Sequence, residues 1–120
     1  MGVLTTHVLD MAAGRPAAGV RVDLFRIDQE PVLLKTAVKN VDGRTEEPLL
    51  TEGEFAEGTY QLLFYVADYF ALAGGGREGG HEDAGKFLTH VPVVFRISGG
   101  GKYHVPLLVS PWGYTTYRGS

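Results

Sequence analysis

The chain has 120 residues, 17 of them glycine and none cysteine, with 11 Lys and Arg against 14 Asp and Glu for a formal charge of −3. That length suits a single domain over residues 1–120, and a chain of this size buries roughly two-thirds of its unfolded surface, so a core forms without staples. Lack of cysteine excludes disulfides and thiol or Cys-ligated zinc chemistry, and an acidic balance with no Lys/Arg cluster argues against nucleic acid or an anionic membrane as partner.

In chain order, short β-branched and aromatic runs alternate with Gly, Pro and Asp, the pattern of an all-β sandwich or barrel. A first strand is predicted over 3–10, a turn through Gly14, Arg15 and Pro16, and a second strand over 20–27 whose alternation gives one apolar and one mixed face. A third strand covers 32–40. Asp42-Gly43 then signals a tight reversal, with Arg44 opening a return strand that Pro48 cuts to a short edge segment at 49–51. A loop over 52–58 leads to a strong fifth strand over 59–67. Asp68 is placed to cap one or two helical turns that end at Gly74-Gly75-Gly76. Residues 74–86 are polar and glycine-rich and read as a mobile loop. Strands follow over 90–97 and 103–110, and a last one in the 112–120 tail. Eight strands and one short helix are expected.

No apolar run approaches the ~18–20 residues that span a bilayer, and the N-terminal residues lack the basic and apolar regions of a secretory signal. The expected setting is cytoplasmic.

Chemistry in this chain rests on four histidines, arginines, carboxylates and hydroxyls. His7 lies inside a strand and reads either as a cross-strand polar pair or as a functional imidazole. His104 sits on a strand face with Pro106 and Leu108 and allows the same two readings. Arg44, just after the Asp42-Gly43 turn, either offers a guanidinium to an anionic or carbonyl-rich ligand or pairs with Glu46 or Glu47 at the surface. His81 and His90 read as solvated and structural. No His-x-x-His or His-Glu-x-x-His spacing marks a metal site, and neither glycine run has the context of a phosphate loop, so no metal and no cofactor are expected.

Three segments taken together carry a resemblance: Leu4-Thr-Thr-His7-Val-Leu-Asp10, Val41-Asp42-Gly43-Arg44-Thr45, and Tyr103-His104-Val-Pro-Leu-Leu with the terminal Tyr117-Arg118-Gly119-Ser120. In this order, over nearly the whole chain, they resemble the 5-hydroxyisourate hydrolases, the enzymatic branch of the transthyretin-like family. The resemblance implies a transthyretin-like sandwich of two four-stranded sheets with one short helix. It also implies a homotetramer whose sites lie in clefts between dimers. Carried over by position, His7, Arg44, His104 and Ser120 are the catalytic set, and His7, Arg44 and Tyr117 bind substrate. Arg118 holds the tail or joins the site. The implied reaction opens the ring of 5-hydroxyisourate to 2-oxo-4-hydroxy-4-carboxy-5-ureidoimidazoline in urate degradation. Lys39-Asn40-Val41 stands where Thr-Asn-Ala is commoner in the family, a departure that leaves the catalytic set untouched. The competing readings are a non-catalytic transthyretin-like carrier of a small ligand and a sandwich used for protein contacts.

Overall fold

The computed structural model describes residues 2–74 and 85–119. The middle of the glycine-rich loop, His81 included, lies outside the described residues, as does Ser120. The described residues form eight strands and one helix: β1 (Gly2–Asp10), β2 (Arg15–Pro16), β3 (Arg21–Ile27), β4 (Pro31–Val38), β5 (Gly58–Tyr65), α1 (Val66–Gly74), β6 (His90–Ile97), β7 (Gly101–Val109) and β8 (Tyr114–Thr116). Two four-stranded sheets result, ordered β2-β1-β7-β8 and β4-β3-β5-β6.

Strand alternation decides which side chains enter the space between the sheets. In β1 the even positions Leu4, Thr6, Val8 and Asp10 are buried and the odd ones are half-exposed; in β5 Tyr60, Leu62 and Phe64 point inward. A period of two then leaves Thr5 and His7 on the outer face of the first sheet. β1 pairs in parallel with β7 from Gly2↔Gly101 to Asp10↔Val109, and this register sets Thr5 beside His104. The buried carboxylate at the end of β1 is satisfied. Asp10 accepts the amides of Ala12 and Ala13 on one oxygen and the Tyr69 hydroxyl on the other, at 2.9, 3.0 and 2.7 Å, and so ties β1 to α1.

The strand count agrees with expectation, but its membership differs. Arg15–Pro16, read as a turn, forms a two-residue edge strand against Leu9 and Asp10. The segment expected as a strand over 49–51 contributes only an isolated bridge, Leu4↔Leu50, and Arg44 opens no strand at all. Asn40 is the physical reason. Its side-chain carbonyl accepts the Asp42 and Arg44 amides at 2.9 and 3.2 Å, and its main-chain amide bonds the Arg44 carbonyl at 2.7 Å, so the chain closes on itself instead of pairing outward. The helix starts at Val66, two residues early, which places Asp68 in the first turn, not at the cap. Its negative charge there still suits the helix N-terminus.

Candidate active site

His7 and His104 share the outer face of the first sheet, each half-buried, one on β1 and one on β7. The His7 Nε2 lies 2.9 Å from the Asp42 main-chain carbonyl. A carbonyl oxygen only accepts, so Nε2 carries the proton and the neutral ring keeps its lone pair on Nδ1. The His104 Nδ1 lies 2.8 Å from the Thr5 hydroxyl across the β1–β7 pair, which orients that ring and turns its Nε2 to other partners.

Two glycines make room for these rings. Gly43 has φ +72°, and a Cβ there would stand 2.5 Å from the Val8 carbonyl and 3.2 Å from the His7 Cδ2. The Val8 amide also bonds the Gly43 carbonyl at 2.9 Å, so the 40–44 loop is fastened to the strand that carries His7. The tail passes over His104: the Gly119 amide donates to the His104 carbonyl at 2.7 Å, and a Cβ at position 119 would fall 2.6 Å from the imidazole Cδ2. Only a residue without a side chain can lie there.

Arg44 is exposed and forms no ion pair with Glu46 or Glu47 among the described residues. Its positive field nevertheless reaches both histidines. Burial is the main cause holding each imidazole below the ordinary histidine value, and Arg44 is the next; the Asp42 carbonyl opposes the shift at His7. Both rings are therefore mostly neutral near pH 7, the state in which an imidazole accepts a proton. Arg44 borders a small concavity of 130 Å³ with Thr5, Thr6 and Pro48.

Of the other expected site residues, Ser120 lies outside the described residues and Tyr117 lies at a different edge of this chain. Tyr117 is 55% exposed and lines a 260 Å³ cleft at the β6 and β8 edges, with Val93, Phe95 and Arg118. The Arg118 guanidinium stacks 4.0 Å from the Tyr103 ring centroid and reaches the Lys102 carbonyl, so within one chain it anchors the tail. Among the described residues no group of three or more His, Asp or Glu side chains is placed to hold a metal ion.

Two residues were missed by the sequence reading. Asn40 shapes the Arg44 loop, and the Asn-x-Asp-Gly spacing was a usable turn signal. Lys39, read as a departure without effect on the catalytic set, is buried at 2% exposure, and its ammonium position is felt by both histidines. Nothing in a strand pattern announces a buried lysine.

The model of the HIUase/Transthyretin family matches residues 4–119. A 5-hydroxyisourate hydrolase from Halalkalibacterium halodurans is 52% identical, over 99% of this chain and 98% of that protein. Among solved structures, the Klebsiella pneumoniae 5-hydroxyisourate hydrolase superposes with a TM-score of 0.78 at 35% identity, over the full length of both chains. An (S)-allantoin synthase gives a TM-score of 0.85 at 42% identity, and this chain spans 44% of that longer one. A family model matched over residues 4–119 and a relative 52% identical over nearly the whole of both chains show that the chain belongs to the HIUase/transthyretin family.

Proposed function

We propose that the chain hydrolyses 5-hydroxyisourate, opening its ring at an acyl–nitrogen bond to give 2-oxo-4-hydroxy-4-carboxy-5-ureidoimidazoline. The observation that carries the reading is the pair of neutral imidazoles beside a guanidinium that has no acidic partner among the described residues, on one sheet face. Full-length relatives named for this activity support it.

Water must lose a proton as it attacks the ring carbonyl carbon. His7 takes that proton on Nδ1, since its Nε2–H is held by the Asp42 carbonyl, which also favours the imidazolium as it forms. The carbonyl oxygen becomes an oxyanion, and Arg44 supplies the compensating positive charge. As the C–N bond breaks, the leaving nitrogen needs a proton. His7 returns the proton it took from water, while the Thr5 bond to Nδ1 fixes the His104 ring with its Nε2 turned to the substrate. Tyr117 and Ser120 complete the substrate pocket.

That completion requires another copy. The concavity beside Arg44 is 130 Å³, below the ~300–1,000 Å³ usual for small-molecule sites, and the face bearing His7 and His104 has no opposing wall in one chain. A homotetramer, with two such faces opposed, is therefore part of the proposal; its edge cleft would bring Tyr117 to a neighbour's site. Sedimentation should give four chains per particle.

The activity is tested by generating 5-hydroxyisourate from urate with urate oxidase and following its ultraviolet absorbance. Micromolar protein should speed the loss well beyond spontaneous decay. An unchanged decay rate would leave the carrier reading standing.

A further inference from the structure

Lys39 follows the end of β4 and is fixed at both main-chain groups, its amide bonding the Val20 carbonyl at 2.9 Å and its carbonyl accepting the Gly19 amide at 2.7 Å. The side chain turns inward. Its Nζ lies 5.9 Å from the centroid of the fully buried Phe64 ring on β5 and has no hydrogen-bond partner. A buried ammonium ordinarily has a carboxylate or several acceptors around it. Here the charged groups that bear on it are themselves cations or potential cations: Arg44 from the 40–44 loop, His7 from β1 and His104 from β7. Asp23 and Asp10, both buried acids, are engaged by other donors.

We propose that Lys39 is a positioning residue for the hydrolysis, a buried amine whose charged form strengthens the Arg44 field at the oxyanion and whose loss of a proton produces the alkaline limb of the pH–rate profile. The inference rests on the hydrolase reading above. Burial, and after it Arg44, pushes the Lys39 amine down to about 7, so both forms are populated at the pH where the histidines are neutral. Its positive charge also lowers both imidazoles, which keeps them available as bases. In the acid direction activity falls as the histidines protonate. In the alkaline direction the second cation behind Arg44 disappears and the oxyanion loses support. One unit charge whose field reaches the site, at the screening usual inside proteins, changes a rate by about tenfold.

The direct measurement is NMR of 13C-labelled lysine in the full-length protein, with the Lys39 Cε signal assigned by its absence in Lys39→Met. Lys39 should titrate with a midpoint within about one unit of 7, several units below ordinary lysine. A midpoint near the ordinary value overturns the proposal without touching the hydrolase reading. The second measurement is kcat/KM for 5-hydroxyisourate from pH 6 to 9. Wild type should show an alkaline limb at the NMR midpoint. Lys39→Met should be about tenfold slower at pH 6.5 and lack that limb, and Lys39→Arg should keep the rate while also lacking it. A Lys39→Met profile parallel to wild type reduces Lys39 to packing and overturns the proposal. If wild type itself gives no turnover, the hydrolase reading falls and takes this one with it. Should Lys39→Met fail to fold, Lys39→Arg supplies the assignment, and agreement or disagreement between the wild-type NMR midpoint and the wild-type kinetic limb still decides.

Discussion

Each sheet carries a cluster of polar and charged groups, and the two clusters are built on opposite principles. On the β4-β3-β5-β6 sheet, Asp23 is 2% exposed, and burial alone would raise its carboxyl. Bonds from Arg21, Thr36 and Tyr65 at 3.0, 2.8 and 2.9 Å overcome that and hold it below the usual carboxylate range. Both charges of that Arg21–Asp23 pair are partnered. On the outer face of β1 and β7, His7 and His104 stand beside Arg44, with the Lys39 amine from the end of β4 felt by both rings, and no acidic side chain is bonded to any of the four among the described residues. A saturated cluster holds a fold together, whereas an excess of one sign lowers imidazoles, leaves donors open and attracts a ligand of the other sign. The contrast separates an arginine tied to a buried carboxylate from one left open to the role proposed above.

The sharpest way to break the contrast is at the unsaturated cluster. Arg44→Ala should lower kcat/KM on 5-hydroxyisourate by roughly 10²–10³-fold, the cost of an oxyanion donor, with the thermal midpoint nearly unchanged because the Arg44 side chain makes no hydrogen bond or ion pair among the described residues and its main-chain bonds to Asn40 survive the change. His7→Ala should cost about 10²–10⁴-fold, as loss of a general base does. An Arg44→Ala enzyme within threefold of wild type would show that the open guanidinium is a surface residue after all. Gly119→Ala comes next. The added methyl meets the His104 ring at 2.6 Å, and displacing a reacting group by about 1 Å costs up to 10²-fold; steady-state rates should fall while unfolding in urea stays close to wild type.

The saturated cluster should behave in reverse. Asp23→Ala strips the partner from Arg21, Thr36 and Tyr65 and should lower stability by about 1–3 kcal/mol in urea unfolding, with kcat retained. Loss of activity without loss of stability would erase the distinction between the sheets.

The smallest effect is one of sign. Because the Lys39 amine sits at about 7 in the fold and near 10.4 in the unfolded chain, the unfolded state binds more protons between these values. Wild-type stability should therefore rise with pH across that window, the burial penalty being fully present below about 7. Lys39→Met should be more stable than wild type at pH 6.5, and its advantage should shrink toward pH 10. Equal pH slopes for the two proteins would mean that the ammonium finds a partner in solution.

The local signals for strands proved reliable where alternation ran long, as in β1, β5 and β7. They failed where pairing was marginal: the side chain of Asn40 outbid strand pairing at Arg44, and Pro16 found an edge to join that a turn pattern does not reveal. The site followed the same division. His7, Arg44 and His104 are named as a set by flanking motifs that resemble those of a known family, while on periodicity alone a structural role is the commoner reading of each.

Residue order by itself determined the two-residue alternation that turns His7 and His104 away from the core, the glycines at 43 and 119, and the absence of thiol chemistry. Only the tertiary structure decided that β1 runs parallel to β7 with Thr5 beside His104, since that register joins residues 99 positions apart. It also decided that Lys39 goes inward without a partner. Burial and charge coupling depend on what the rest of the chain packs around a side chain, and no local pattern contains that information.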